Sequence, residues 1–318
     1  MDGSIQAEHG GRRTLKSAIG CTGIGLHTGQ RVSLTLRPAA AGTGIVFRRT
    51  DLGGATIAAR FDQVVDTRLC TAIASDDAPD LRVGTIEHLM AAFAGAGIDD
   101  AEVDVDAAEL PILDGSAAPF LFLIDCAGTV TTAAPRAAIE VLRPIRVEDQ
   151  SGAFAELLPA REAGFEAELE IDFPNTVIGR QRLAMRVTPH GFRDVLADAR
   201  TFTLAEDVAR LRKAGLARGG SLANAVVVDG PLVLNPGGLR SADEFVRHKL
   251  LDVVGDLALA GAPLKARFRG NRSGHALNNR LLRALFADPT AWRRVGASEM
   301  AFDGVSARLP AAAAPARD

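Results

Sequence analysis

The sequence predicts an α+β protein made of two successive α+β domains. Three observations carry that expectation. The chain has 318 residues, about the length of two ordinary domains. Strand-like text gives way to helix-like text twice, in clusters, where a parallel α/β fold would alternate strand with helix. Between the two sets lies Thr131-Thr132-Ala133-Ala134-Pro135-Arg136, whose composition reads as a linker. The expected organisation is a leader over 1–13, a first α+β domain over 14–133, a second over 134–308 and a flexible tail over 309–318.

The elements follow from hydrophobic periodicity. Val32-Ser33-Leu34-Thr35-Leu36 alternates with period two, and Gly44-Ile45-Val46-Phe47 follows a Pro/Ala/Gly turn, so both read as strands. A helix is expected near Ile86 to Ala94, and a short strand at Ala101 to Val105. Ile139 to Leu142, Ile145 to Val147 and Ala167 to Ile171 read as strands of the second set. Helical text dominates from Asp243, and Leu277 to Phe286 forms a further helix.

Composition excludes several functions. Hydrophobic residues make up 47% of the chain, enough for real cores, and the net charge of −3 argues against a nucleic-acid partner. Cys21, Cys70 and Cys126 lie far apart with no CxxC pair, which disfavours a disulfide framework or a thiolate metal site and fits a reducing, cytoplasmic compartment. No apolar run is long enough to span a membrane, which leaves room only for peripheral membrane contact.

The most informative segment is SADEFVRHKLLDVVGDLALAG, from Ser241 to Gly261. Ser241 and Glu244 have the spacing of a capping box at a helix start, and Gly261 with Pro263 marks the end. His248, Asp252 and Asp256 recur every fourth residue, so all three line one side of that helix. Asp252 and Asp256 sit among Leu250, Leu251, Val253, Val254 and Leu257, where a carboxylate loses water and needs a partner. That partner is either a cation shared with His248 or an arginine such as Arg247.

A second piece is Gly84-Thr85-Ile86-Glu87-His88-Leu89, with Thr85 as the expected N-cap. Adjacent helical residues point about 100° apart, so Glu87 and His88 would divide the work: His88 on a metal, Glu87 on a water beside it. Alone, the pair also reads as a solvated glutamate and a surface histidine. A third piece is His275, in the small-residue loop Gly270-Asn271-Arg272-Ser273-Gly274 that precedes a helix; alone, it also reads as a loop histidine bonded to local backbone. Two histidines and one carboxylate leave a zinc with an open position, where it lowers the pKa of water from about 15.7 toward about 7. Glu87 would take the water's proton and His275 would act as acid or electrostatic partner.

Taken together these stretches resemble one family, the UDP-3-O-acyl-N-acetylglucosamine deacetylases of lipid A synthesis. The matching text includes TLKSAIGCTGIGLHTGQRVSLTLRPA from Thr14, DTRLCTAI from Asp66, TIEHLMAAFAGAGID from Thr85, ELPILDGSAAPF from Glu109, ARTF from Ala199, DEFVRHKLLDVVGDLALAG from Asp243 and SGHALNN from Ser273. The resemblance implies two similar α+β domains in a two-layer arrangement with the active site between them. It implies Zn2+ held by His88, His248 and Asp252, Glu87 as general base, and His275 as general acid supported by Asp256. Thr201 would steady the oxyanion, Lys249 would contact the substrate diphosphate, and Phe202 would flank the substrate. The implied substrate is acylated UDP-N-acetylglucosamine and the expected protein is a monomer. Ile171-Asp172-Phe173-Pro174-Asn175-Thr176 departs from the family by lacking a His-Pro pair after the phenylalanine, in a region associated with nucleotide contacts. Two other functions fit the same residues: a metal amidase for another acylated sugar, and a zinc-stabilised sugar-nucleotide binding protein.

Overall fold

The computed structural model describes residues 10–75 and 77–296 of the chain. The expected tail at 309–318, and the leader up to residue 9, lie outside the described residues. The fold is α+β, with several sheets and helices packed against them.

The first half of the chain builds a five-stranded sheet in the spatial order Ile19–Ile24, Arg31–Pro38, Ala101–Val105, Ile45–Arg49 and Ala55–Ala58. Its period-two text folds as expected: Val32, Leu34 and Leu36 point inward while Arg31, Ser33 and Thr35 face out or lie half-buried. A smaller sheet joins Val64–Asp66, Ala72–Ser75 and Ala78–Val83. The helices Glu87–Ala96 and Ala118–Ala127 pack on each other, and the second also rests on the Ile19–Ile24 strand.

The second half builds a seven-stranded sheet around the Leu264–Asn271 strand, which pairs with Ala138–Val141, Phe154–Pro159 and Phe165–Phe173. A three-stranded sheet of Phe202–Leu204, Val226–Asp229 and Leu232–Val233 stands apart, joined to the Ala205–Lys213 helix. The Glu244–Ala258 helix packs on the Phe165–Phe173 and Gly179–Arg186 strands, and His275–Ala287 packs on Ile145–Glu148 and Phe154–Pro159. The layers therefore run sheet, helix pair, helix pair, sheet. Among the described residues no helix is long and apolar enough to cross a membrane.

Two expectations are corrected here. Thr131 to Pro135, expected as linker, lies in the strand Thr129–Pro135, and Gly11 to Arg13, expected in the leader, lie in the strand Gly11–Leu15; the two strands pair with each other. Backbone pairing across a gap of more than a hundred residues leaves no mark on local composition.

The two helix pairs meet where the Glu87–Ala96 and Glu244–Ala258 helices touch. Gly255 makes that contact: a Cβ on it would stand 2.0 Å from the Glu87 carbonyl oxygen. Backbone cannot yield as a side chain would, so any side chain at 255 drives the helices apart. Gly255→Ala is expected to destabilise the fold by about 1–3 kcal/mol, the usual cost of overpacking, and thermal melting checks this.

Candidate metal centre and active site

His248 and Asp252 stand one turn apart on the Glu244–Ala258 helix, and the close crossing at Gly255 brings the first turn of the Glu87–Ala96 helix against them. His248 Nε2 lies 3.4 Å from Asp252 Oδ1, and His88 Nε2 lies 3.7 Å from the same oxygen. One ligand atom from each of the three residues falls within 4.8 Å of the other two, and all three side chains are buried. The Nδ1–H of His248 donates to the Ala199 carbonyl at 3.0 Å, which leaves the lone pair on Nε2. Burial lowers the basicity of both imidazoles, that of His88 to a pKa of about 3. Burial opposes the charge on Asp252, but His248 and Lys249 outweigh it and hold its carboxyl below the usual range.

These residues fit a metal ion. Neutral imidazole nitrogens and a carboxylate oxygen carry outward lone pairs, and three such atoms converging in a buried space repel one another unless a cation lies among them. Asp252 Oδ1 has no hydrogen-bond partner, as expected of an atom reserved for a ligand. Arg247, the alternative partner, pairs instead with Asp243 at 2.6 Å.

Glu87 is 4% exposed. Burial pushes its pKa up to about 7. Its Oε2 accepts the Thr71 N–H at 3.0 Å, and its Oε1 lies 4.0 Å from His275 Nε2. His275 opens the His275–Ala287 helix rather than preceding it. Its Nδ1–H donates to Asp256 Oδ2 at 2.8 Å. Burial works to lower its pKa, yet the charge and hydrogen bond of Asp256 prevail and raise it to about 9. Asp256 is itself fully engaged: Asn278 Nδ2 donates to Oδ2 at 2.8 Å and the Thr71 hydroxyl to Oδ1 at 2.6 Å.

A cavity of about 430 Å³ opens onto these groups, lined by Glu87, His88, Thr201, Phe202, His248, Lys249, Asp252 and His275. Of the residues given a catalytic, metal-binding or substrate-binding role in the sequence, only Asp256 stands behind the wall, on the far side of His275. Thr201 is fixed through its backbone, its N–H donating to Gly115 and its carbonyl accepting from Val226, both at 2.8 Å. Lys249 Nζ donates to Asp252 Oδ2 at 3.0 Å. Phe202 faces the cavity and also packs edge-on against Phe173 and Phe245.

The structure adds residues that sequence reasoning missed. Thr85 is not the N-cap; Ile86 is. Thr85 instead has φ 57°, a left-handed conformation costly for a β-branched residue. Its hydroxyl donates to Glu109 Oε1 at 3.1 Å, while Glu109 also accepts the His27 and Thr28 N–H groups, and this clamp fixes the turn that delivers Glu87 and His88. His27 itself does not line the cavity. Glu244 does not close a capping box: its carboxylate binds Arg200 at 2.7 and 3.0 Å and the Arg240 N–H at 2.7 Å. That buried pair anchors the 199–201 segment, which carries both the carbonyl partner of His248 and Thr201.

The pair sets a stability prediction. Glu244 is fully buried; burial alone would raise its pKa, and the hydrogen bonds from Arg200 and the backbone depress it. A depressed carboxyl stabilises the fold above its unfolded pKa, and that stability is lost as pH falls through the folded value. Glu244→Ala leaves Arg200 unpaired and is expected to cost about 3–5 kcal/mol at neutral pH, with the gap to the parent narrowing in acid; urea melts at two pH values check this.

Two imidazoles and one carboxylate that converge in a buried space, with a buried carboxyl and an ion-paired imidazole beside them, form a candidate metal site of the kind metal-dependent hydrolases carry. Comparison with known proteins narrows the class. The family model described as UDP-3-O-acyl N-acetylglycosamine deacetylase matches residues 12–287, and the chain belongs to that family. It is 50% identical over 284 residues to the UDP-3-O-acyl-N-acetylglucosamine deacetylase of Chromobacterium violaceum, covering 88% of this chain and 92% of that one. It is 50% identical over 291 residues to the enzyme of that name from Acidithiobacillus ferrooxidans, covering 91% and 94%. It is 46% identical over 305 residues to that of a Shewanella species, covering 95% and 98%.

Proposed function

We propose that this chain hydrolyses the N-acetyl group of UDP-3-O-acyl-N-acetylglucosamine to the free amine and acetate, the committed step of lipid A synthesis, with zinc as its metal. The observation that carries the reading is the convergence of three unprotonated donor atoms beside a buried carboxyl. Zinc at His88, His248 and Asp252 would supply Lewis acidity to the acetamide carbonyl and to water. Glu87, close to neutral in basicity, takes a proton from the attacking water. Thr201 donates to the developing oxyanion. His275, protonated and oriented by Asp256, gives its Nε2 proton to the departing nitrogen. Lys249 and Phe202 bind the substrate, and Leu204 and Leu211, which line the same cavity, supply an apolar wall for the acyl chain.

We assign Glu87 and His88 to a first domain ending near residue 133, and the other site residues to a second. The same reading places the protein in the cytoplasm as a monomer, with any membrane contact peripheral. A zinc-stabilised binding protein would have no use for a base at the open corner, since a structural zinc closes its fourth position.

Acetate release from the acylated UDP-sugar tests the proposal. Activity is expected to fall on chelation and return with about one equivalent of zinc. Because His275 acts in its protonated form, the rate is expected to fall as pH rises through about 9, and Asp256→Asn should move that limb downward. A chelated protein that keeps its full rate, or one that releases acetate only from unrelated amides, contradicts the reading.

A further inference from the structure

We infer that Thr71 is a positioning residue that locks the two proton-transfer groups to each other, holding Glu87 through its backbone N–H and the Asp256–His275 pair through its hydroxyl. The inference rests on the reading of Glu87 as base and His275 as acid. Thr71 is 2% exposed and lies just ahead of the Ala72–Ser75 strand. Its hydrogen-bonding groups converge on the site. The N–H donates to Glu87 Oε2 at 3.0 Å, the hydroxyl donates to Asp256 Oδ1 at 2.6 Å, and the carbonyl accepts the Ile86 N–H at 3.3 Å. One residue thus fixes the start of one helix and a carboxylate on the other.

Carboxylate torsions are broad, so a buried carboxylate takes its orientation from its donors. The Thr71 N–H occupies Glu87 Oε2 and leaves Oε1 toward His275. On Asp256 the two oxygens are divided: His275 and Asn278 share Oδ2, and the Thr71 hydroxyl binds Oδ1. Without that hydroxyl, Oδ1 is stripped of its donor in a water-poor setting, and Asp256 can turn. The His275 ring, bonded to the same carboxylate, turns with it. Neither movement touches His88, His248 or Asp252, so the effect belongs to proton transfer and not to metal retention.

The test compares Thr71→Val, which keeps the shape and removes the hydroxyl, with Thr71→Ser, which keeps the hydroxyl, in the full zinc-loaded chain. Thr71→Val is expected to lose about 10–100-fold in kcat, with KM and bound zinc near those of the parent and a lowered melting temperature, since a buried carboxylate oxygen loses its donor. Thr71→Ser is expected to stay within about threefold of the parent. In metal-free protein labelled with 15N-histidine, the His275 Nδ1–H signal should shift in Thr71→Val and stay in place in Thr71→Ser. Should the valine variant not fold, Thr71→Ala against Thr71→Ser isolates the same hydroxyl. Parental kcat in Thr71→Val overturns the inference, and so does an equal loss in the serine variant, which would make packing of the methyl the cause. Glu87→Gln is measured alongside. If it is inactive while Thr71→Val is parental, this inference alone fails; if Glu87→Gln keeps the parental rate, the assignment of the base fails with it.

Discussion

Glu87→Gln is expected to bind zinc as the parent does and to lose about 10²–10⁴-fold in turnover, the range that general-base catalysis supplies. The substitution is close to isosteric, and the amide oxygen can still accept the Thr71 N–H that now reaches Glu87 Oε2 at 3.0 Å. A neutral amide also carries less desolvation penalty than a carboxylate at a site that is 4% exposed. Stability is therefore expected to hold or rise while the chemistry fails. Calorimetry, zinc analysis and acetate release on one preparation separate these effects. Retained turnover would assign the base to another group.

Asp252→Ala is expected to abolish turnover by a different route, through loss of the ion. Asp252 is the anionic member of the proposed ligand set, and both imidazole nitrogens approach its Oδ1. Removing it leaves two neutral donors and strands the Lys249 ammonium, which now bonds Oδ2 at 3.0 Å. Zinc affinity should fall by at least about 10–100-fold, and added zinc should restore little activity. Contrasted with Glu87→Gln, which keeps metal and loses rate, this variant divides holding the ion from using it. Equilibrium dialysis reads the first and acetate release at saturating zinc the second.

Much of this site was legible in the sequence because helical spacing is a local property. His248, Asp252 and Asp256 at every fourth residue predict one face, and a carboxylate among leucines and valines predicts a buried partner. The adjacency of Glu87 and His88 likewise predicts divergent directions. What stayed hidden depends on contacts across distant chain. Thr71 reaches Asp256 over 185 residues, and nothing in its immediate neighbours marks it. Gly255 looks like an ordinary helix-interior glycine until the Glu87 carbonyl is seen against it. Thr85 and Glu244 carry the local signature of helix caps, and each was claimed by a tertiary partner, Glu109 and Arg200 respectively. The strand pair Gly11–Leu15 and Thr129–Pro135 was missed for the same reason.

Cys70 lines the cavity with a thiol that burial, aided by the charge of Glu87, pushes up to about 12. Among the described residues it is the one cysteine that lines the cavity, and its reluctance to ionise argues against it as a metal ligand. X-ray absorption at the zinc edge, on protein carrying one equivalent of metal, decides the matter. A centre held by His88, His248 and Asp252 gives nitrogen and oxygen scatterers alone at about 2.0–2.2 Å, with the outer-shell signature of two imidazoles. A sulfur scatterer at about 2.3 Å, or an ion that keeps only its hydration shell, would contradict it.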